Sequence, residues 1–152
     1  MIRRAIPALV FLPPLVAACV SPARLGQSDL MVGYHGVSSH YAEVGWSLRH
    51  SQEQISLYNA TAQGYALSTE VRLDRDVIMG FEASAWRTFF GFEAGASSIL
   101  YTNFDGATVR LRPQLGFGSY NWRLLFGYNI PLGPALDGLN TFDIGLRGHF
   151  SL

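Results

Sequence analysis

The stretch Tyr120-Asn121-Trp122-Arg123-Leu124-Leu125-Phe126-Gly127-Tyr128-Asn129-Ile130 sets Tyr120, Trp122, Leu124, Phe126, Tyr128 and Ile130 against Asn121, Arg123, Gly127 and Asn129. A period of two over this length reads as a strand with one apolar and one polar face. The period recurs on both sides of it. Ala42, Val44, Trp46 and Leu48 oppose Glu43, Gly45 and Arg49, and Tyr65, Leu67 and Val71 oppose Ser68, Glu70 and Arg72. Val77, Met79, Phe81 and Ala83 oppose Gly80, Glu82 and Ser84, while Phe90, Phe92 and Ala94 oppose Gly91, Glu93 and Gly95. Val109, Leu111, Leu115 and Phe117 oppose Arg110, Arg112 and Gln114, and Phe142, Ile144, Leu146 and Phe150 oppose Asp143, Arg147 and His149. With a weaker strand over 30–37, eight are predicted.

Turn residues separate them: Ser38-Ser39, Asp74-Arg75-Asp76, Asn103-Phe104-Asp105-Gly106, Ser119 and the 131–140 segment. Asp105-Gly106 is the sharpest hairpin signal, since Gly accepts the positive φ such turns require. Only 50–62 is long, and Gln54-Ile55-Ser56-Leu57-Tyr58 within it reads as a candidate strand extension. No crossover helix intervenes, so the strands form an antiparallel meander, and eight are enough to close into an up-and-down β-barrel without free edges. Ser97-Ser98 interrupts the alternation and predicts a β-bulge. Pro113 sits mid-strand, where it removes a ladder donor and normally marks an edge or bulge.

Composition narrows the class. The 152 residues carry 11 Arg, no Lys and 11 Asp+Glu, for zero formal charge. Charged residues at 14% fall well below the roughly 25% of soluble domains. Without a positive field a nucleic-acid partner is excluded, and a single Cys excludes a disulfide scaffold. No run of apolar residues is long enough for a helical membrane span.

The first residues read as a leader rather than as fold. Met1-Ile2-Arg3-Arg4 is positive, the stretch to Leu15 is apolar, and Val16-Ala17-Ala18-Cys19 closes it with small residues. That is the pattern of a secretory signal peptide, giving a division into signal peptide 1–18, linker 19–28 and barrel 29–152. Val16-Ala17-Ala18-Cys19 resembles a bacterial lipobox, which would make Cys19 the lipidated mature N-terminus.

One alternating pattern serves two solvents. A soluble barrel puts its apolar face inside, and an outer-membrane barrel turns that face to lipid. The polar face here carries Arg49, Arg72, Arg110, Arg112, Arg123 and Arg147 with Glu43, Glu70, Glu82, Glu93 and Asp143. This near balance suits a narrow lumen filled by paired charges, and arginine's planar fork suits such pairing better than lysine. Phe90, Phe117, Tyr120, Trp122 and Phe150 gather towards one set of strand ends, and Tyr101, Phe104, Tyr128 and Phe142 towards the other. Two aromatic belts answer two membrane interfaces. The expectation is therefore a barrel of the bacterial outer membrane, with lipid around it and the insertion machinery as its partner in biogenesis. The alternative is a lipid-anchored soluble barrel binding a small apolar ligand.

A signal peptide followed by eight short alternating strands resembles the small outer-membrane β-barrel proteins of Gram-negative bacteria. A closer similarity, to an uncharacterised family of such barrels, covers 64–132. It is carried by Gly64-Tyr65-Ala66-Leu67-Ser68-Thr69-Glu70, Leu100-Tyr101-Thr102-Asn103-Phe104, Arg112-Pro113-Gln114-Leu115-Gly116-Phe117-Gly118 and Tyr128-Asn129-Ile130-Pro131-Leu132. The resemblance implies a fold and a location, and no activity.

Chemistry is sparse. His149 and Ser151 share one side of the last strand and weakly resemble the His-x-Ser of outer-membrane lipid A deacylases, which makes a lipid-modifying hydrolase a third reading. A nucleophilic serine also needs a base and a third group to orient it, and nothing in the sequence selects Glu43, Glu70 or Asp143 for that third role. His35, His40 and His50 lie around the first hairpin and the long loop and read as solvated rather than metal-binding. No residue is assigned a catalytic or metal role, and no cofactor is expected. The function expected is structural, anchoring or surface-interacting, with a plugged polar lumen. Cys19 carries the first prediction: intact-mass measurement of the mature protein should find a diacylated chain beginning at Cys19. An unmodified chain starting there or later overturns it.

Overall fold

Each stretch with a period of two contains a strand in the computed structural model, which describes residues 26–51, 61–74, 76–119, 121–134 and 136–152, although Val77 precedes its strand and Phe90-Gly91 form a turn. The leader, Cys19, the 54–58 stretch, Arg75 and Tyr120 lie outside the described residues. The strands are β1 (Gln27–Gly36), β2 (His40–Ser51), β3 (Ala62–Arg72), β4 (Met79–Phe89), β5 (Phe92–Thr102), β6 (Ala107–Gly118), β7 (Trp122–Tyr128), β8 (Ile130–Pro131) and β9 (Phe142–Ser151). The first begins inside the span read as linker. β7 and β8 are two parts of one stave, because both pair with β6 in a single register, Leu115 opposite Phe126 and Leu111 opposite Ile130.

Eight antiparallel staves thus close on themselves: neighbours in sequence pair, and β9 returns to β1 with Leu30 opposite Phe150. Followed once around, the register runs from Gln27 through Arg49, Gly64, Trp86, Gly95, Gln114 and Gly127 to Asp143. Extending the β1–β9 register from Asp143 reaches Val37, ten residues along from Gln27. That stagger tilts the staves, and at this strand number it leaves an interior just wide enough for side chains. Bulky inward groups therefore need small neighbours. A Cβ on Gly64 would stand 2.5 Å from Trp86 Cζ2 and 2.6 Å from the Leu48 carbonyl oxygen.

Two local expectations are corrected. No bulge occurs at Ser97-Ser98, where β4 and β5 stay in register with Ser84 opposite Ser97 and Ala83 opposite Ser98. The alternation only looks broken because Ile99 and Tyr101, both apolar, occupy inward positions. Tyr101 is accordingly an interior residue, not part of an outer belt. Pro113 is neither at an edge nor in a bulge. The Val109 carbonyl accepts from Leu132 N–H on the β8 side, so odd-numbered residues of β6 direct their backbone groups towards β7 and β8. Pairing there lapses between Gln114–Gly127 and Leu111–Ile130. The donor that proline lacks falls in this gap.

Pro113→Ala should therefore recover no ladder bond and change stability by no more than about 1 kcal/mol, mainly through unfolded-chain entropy. Gly64→Leu should cost more than that, since overpacking a filled interior costs roughly 1–3 kcal/mol or more. Urea unfolding followed by tryptophan fluorescence compares the two, and equal losses would contradict both placements.

Candidate functional site

Inward positions on the eight staves hold most of the chain's charge. Arg49, Arg72, Arg110, Arg112, Arg123 and Arg147 are all buried, as are Asp29, Glu43, Glu70, Glu82, Glu93 and Asp143, six of each sign. Five of the carboxylates belong to the network expected from the polar face. Asp29 is an addition: it faces inward on β1, opposite Ser47.

The pairing runs in tiers along the barrel axis. The near end is the one with Gln27 and Ser151, and the far end the one where β1 turns into β2. In the upper middle, Arg112 NH1 donates to Glu70 Oε1 at 2.7 Å, NH2 lies 3.0 Å from Asp143 Oδ2, and Nε donates to Asn129 Oδ1 at 2.8 Å. Its NH1 also reaches Glu82 at 3.4 Å. Tyr101 donates its hydroxyl to Glu70 Oε2 at 2.6 Å. In the centre Arg147 forks onto Glu43, Nε to Oε2 at 3.1 Å and NH2 to Oε1 at 2.9 Å, and NH2 also reaches Glu82 at 3.3 Å. Near the chain ends Arg123 pairs with Glu93 and lies 4.2 Å over the Trp86 ring, while Arg49 NH2 sits 3.2 Å from Asp29. Charge-assisted, forked contacts of this kind are the stronger class of hydrogen bond.

Two arginines depart from the expected carboxylate pairing. Arg72 donates to backbone carbonyls, Nε to Asp76 at 2.9 Å and NH1 to Gly138 at 3.2 Å. Arg110 has no carboxylate partner among the described residues, and its Nε is buried without a hydrogen bond. The expected pairing of Arg110 with a lumen carboxylate is corrected accordingly. It lies beyond the reach of the carboxylates, which Arg112 and Arg147 hold nearer the centre.

Histidine placement also differs from the sequence reading. His35 is not a loop residue but faces inward on β1, Nε2 3.2 Å from Glu70 and Nδ1 3.3 Å from Asp143, stacked on Tyr41 at 5.4 Å between centroids. His40 stays exposed and bonds the Tyr34 hydroxyl at 2.7 Å. His149 and Ser151 do not converge: His149 is buried, whereas Ser151 is exposed at the rim and accepts from Gln27 Nε2 at 2.6 Å. A different hydroxyl, Ser47 Oγ, lies 3.2 Å from His149 Nδ1. Ser47 is fully buried, and His149 Nε2 has no hydrogen-bond partner among the described residues, so no carboxylate stands behind the ring as a third group.

Glu43, Glu70 and Glu82 bring carboxylate oxygens within 4.8 Å of one another. Arg112 contacts Glu70 and Glu82, Arg147 contacts Glu43 and Glu82, and His35 Nε2 lies 3.2 Å from Glu70, so each of the three acids has a partner within the ion-pair lattice. The polar interior can hold strands together across the barrel.

No family model, curated protein or solved structure matches this chain. The likeness read over 64–132 therefore adds nothing here to the barrel itself.

Removing Arg112 strands Glu70 and Asp143 in the interior, and breaking a buried pair from one side costs roughly 3–5 kcal/mol. Arg112→Ala should lose about that much in urea unfolding. Arg110→Ala, which strands no carboxylate, should stay within about 1 kcal/mol. Similar losses from the two substitutions would overturn the assignment of partners.

Proposed function

We propose that this protein is an outer-membrane β-barrel with a plugged lumen, serving a structural, anchoring or surface-interaction role, with lipid as its solvent and no chemistry of its own. One observation carries the reading: the barrel is inside out for water. Leu67, Phe92, Leu115 and Phe142 are each more than 60% exposed on the outer wall, while all six guanidiniums of the interior are more than 90% buried. Monomeric proteins in water rarely expose apolar patches beyond a few hundred Å², and this wall is apolar around its circumference. In hydrocarbon the same arrangement is favourable on both faces, because the closed ladder leaves no backbone group unpaired at an edge.

The rims support the same reading. Phe89, Phe90, Phe92, Phe117, Trp122 and Phe150 stand exposed towards the near end, and Tyr34, Phe104, Tyr128 and Phe142 towards the far end. Rings at two levels match two interfaces. Placing the near end in the periplasm puts the chain's start where a lipidated Cys19 would sit, with the insertion machinery acting from that side. What fills the interior supports a plug. The void lined by His35, Glu43, Arg112, Asp143 and Arg147 is about 20 Å³, enough for one water and too small for a solute path. A soluble barrel binding an apolar ligand in its centre would need the opposite facing of the two sides.

The test combines location with depth. The barrel should remain with outer membranes after carbonate washing and migrate faster unboiled than boiled. Phe126→Arg, at mid-stave, should impair insertion by roughly 2–4 kcal/mol, whereas Trp122→Arg, at a rim, should cost little. Phe126→Ala should be mild, because acyl chains refill the space. Release by carbonate, or an alanine penalty as steep as the arginine one, would mean that water surrounds this wall.

A further inference from the structure

At the far mouth the interior changes character. Tyr41, Ile78, Ile99 and Tyr101 form a buried apolar cluster, and Leu136 and Leu139 of the 132–141 loop pack down on it. On the neighbouring strand Thr108 stands opposite Tyr101 and Arg110 opposite Ile99, both facing inward and both more than nine-tenths buried. Thr108 Oγ1 and Arg110 Nε have no hydrogen-bond partner. Every other buried guanidinium among the described residues has a carboxylate or a backbone carbonyl against it. An apolar recess beside an unpaired cation and an unpaired hydroxyl is the complement of a molecule with an apolar body and an anionic head.

The loop over this recess is held by side chains at the rim rather than by a strand ladder. The Gly138 carbonyl accepts from Ser39 Oγ at 3.1 Å, Arg72 NH1 at 3.2 Å and Tyr41 hydroxyl at 3.4 Å. Asn140 Nδ2 donates to the Ser39 carbonyl at 2.8 Å, and its Oδ1 accepts from Ser39 N–H at 2.9 Å. Gly138 has a φ of +82°, and a Cβ there would stand 2.3 Å from Arg72 NH1, so the chain at Gly138 lies tightly against Arg72 at the mouth. Gly133 passes within 3.5 Å of Thr108 Oγ1, measured from the position its Cβ would take. The loop thus covers the apolar floor and passes close to Thr108.

We infer that the far mouth is a binding site for a single-chain anionic amphiphile, whose head pairs with Arg110 and Thr108 and whose chain takes the place of Leu136 and Leu139 against Tyr41, Ile78, Ile99 and Tyr101. In the closed state the two leucines occupy the site as the loop's own plug. Binding exchanges them for the ligand's chain, so ligand and closed loop compete. The site depends on the mouth alone, and it stands or falls separately from the membrane location of the outer wall.

Dodecanoate labelled with carbon-13 at the carboxylate is the probe, titrated into the full-length folded barrel in non-ionic micelles. Binding should be saturable at one per chain, with a carboxylate resonance distinct from that of micelle-bound probe. Dodecanol, competing as the neutral analogue, should bind at least tenfold more weakly. Arg110→Met should weaken dodecanoate at least tenfold and leave dodecanol unchanged. The double variant Leu136→Ala with Leu139→Ala should bind dodecanoate several-fold more tightly, because the competing plug is gone. Gel mobility without boiling confirms that each variant is folded, and if Arg110→Met does not fold, the dodecanol comparison and the loop variant decide. Uptake that only follows the amount of detergent, equal binding of acid and alcohol, or wild-type affinity in Arg110→Met would each overturn the site.

Discussion

The guanidinium of Arg112 is the point at which the barrel is tied across its own interior. From β6 it reaches Glu70 on β3, Glu82 on β4, Asp143 on β9 and Asn129 between β7 and β8. A backbone ladder joins each stave only to its neighbours. This one side chain joins staves on opposite walls, and Arg147 repeats the device one tier down with Glu43 and Glu82. Charges removed from water this completely are stabilising only when every one has partners of good geometry. The requirement propagates outward from these contacts. It favours arginine over lysine, calls for glycines beneath the bulky groups, and keeps inward carboxylates close in number to inward guanidiniums.

The fold was legible because six of the eight staves alternate cleanly, and turn signals fall between most of them. What escaped the sequence did so where an inward position is not polar. On β1 the inward series is Asp29, Met31, Gly33 and His35, and its buried methionine and glycine hide the period. Asp29 therefore went unassigned, and His35 read as a loop residue. On β5 the inward Ile99 and Tyr101 imitate a bulge in a strand that is regular. Both misreadings come from one cause. Alternation of chemistry is only a proxy for alternation of direction, and it fails where the interior itself becomes apolar.

Partner choice is a different kind of information. The polar face named eleven ionic residues, and the structure buries all of them. Which arginine meets which acid depends on stagger, which is a sum over every hairpin register and cannot be read from any one of them. Arg110 and Arg112 are two apart on one strand face, yet Arg112 touches three acids and Arg110 none. Pro113, the residue after Arg112, reads as a flaw in the strand. It becomes intelligible only once β7 and β8 are seen as one stave with a gap, because an N–H that has no acceptor need not exist.

Closure brings together the two ends of the chain, since β9 pairs with β1. The contacts that fasten this seam are the most distant in sequence: Arg147 with Glu43, Asn140 with Ser39 and Gln27 with Ser151. Their loop-closure cost grows only slowly with separation, but their reward arrives only when the seam is shut. An open sheet leaves the central carboxylates and guanidiniums in contact with water, where pairing is worth little. Shutting the seam desolvates them together, so the half-closed barrel keeps neither full hydration nor full pairing. The ionic interior thereby disfavours partly closed states and makes the closing of the barrel cooperative.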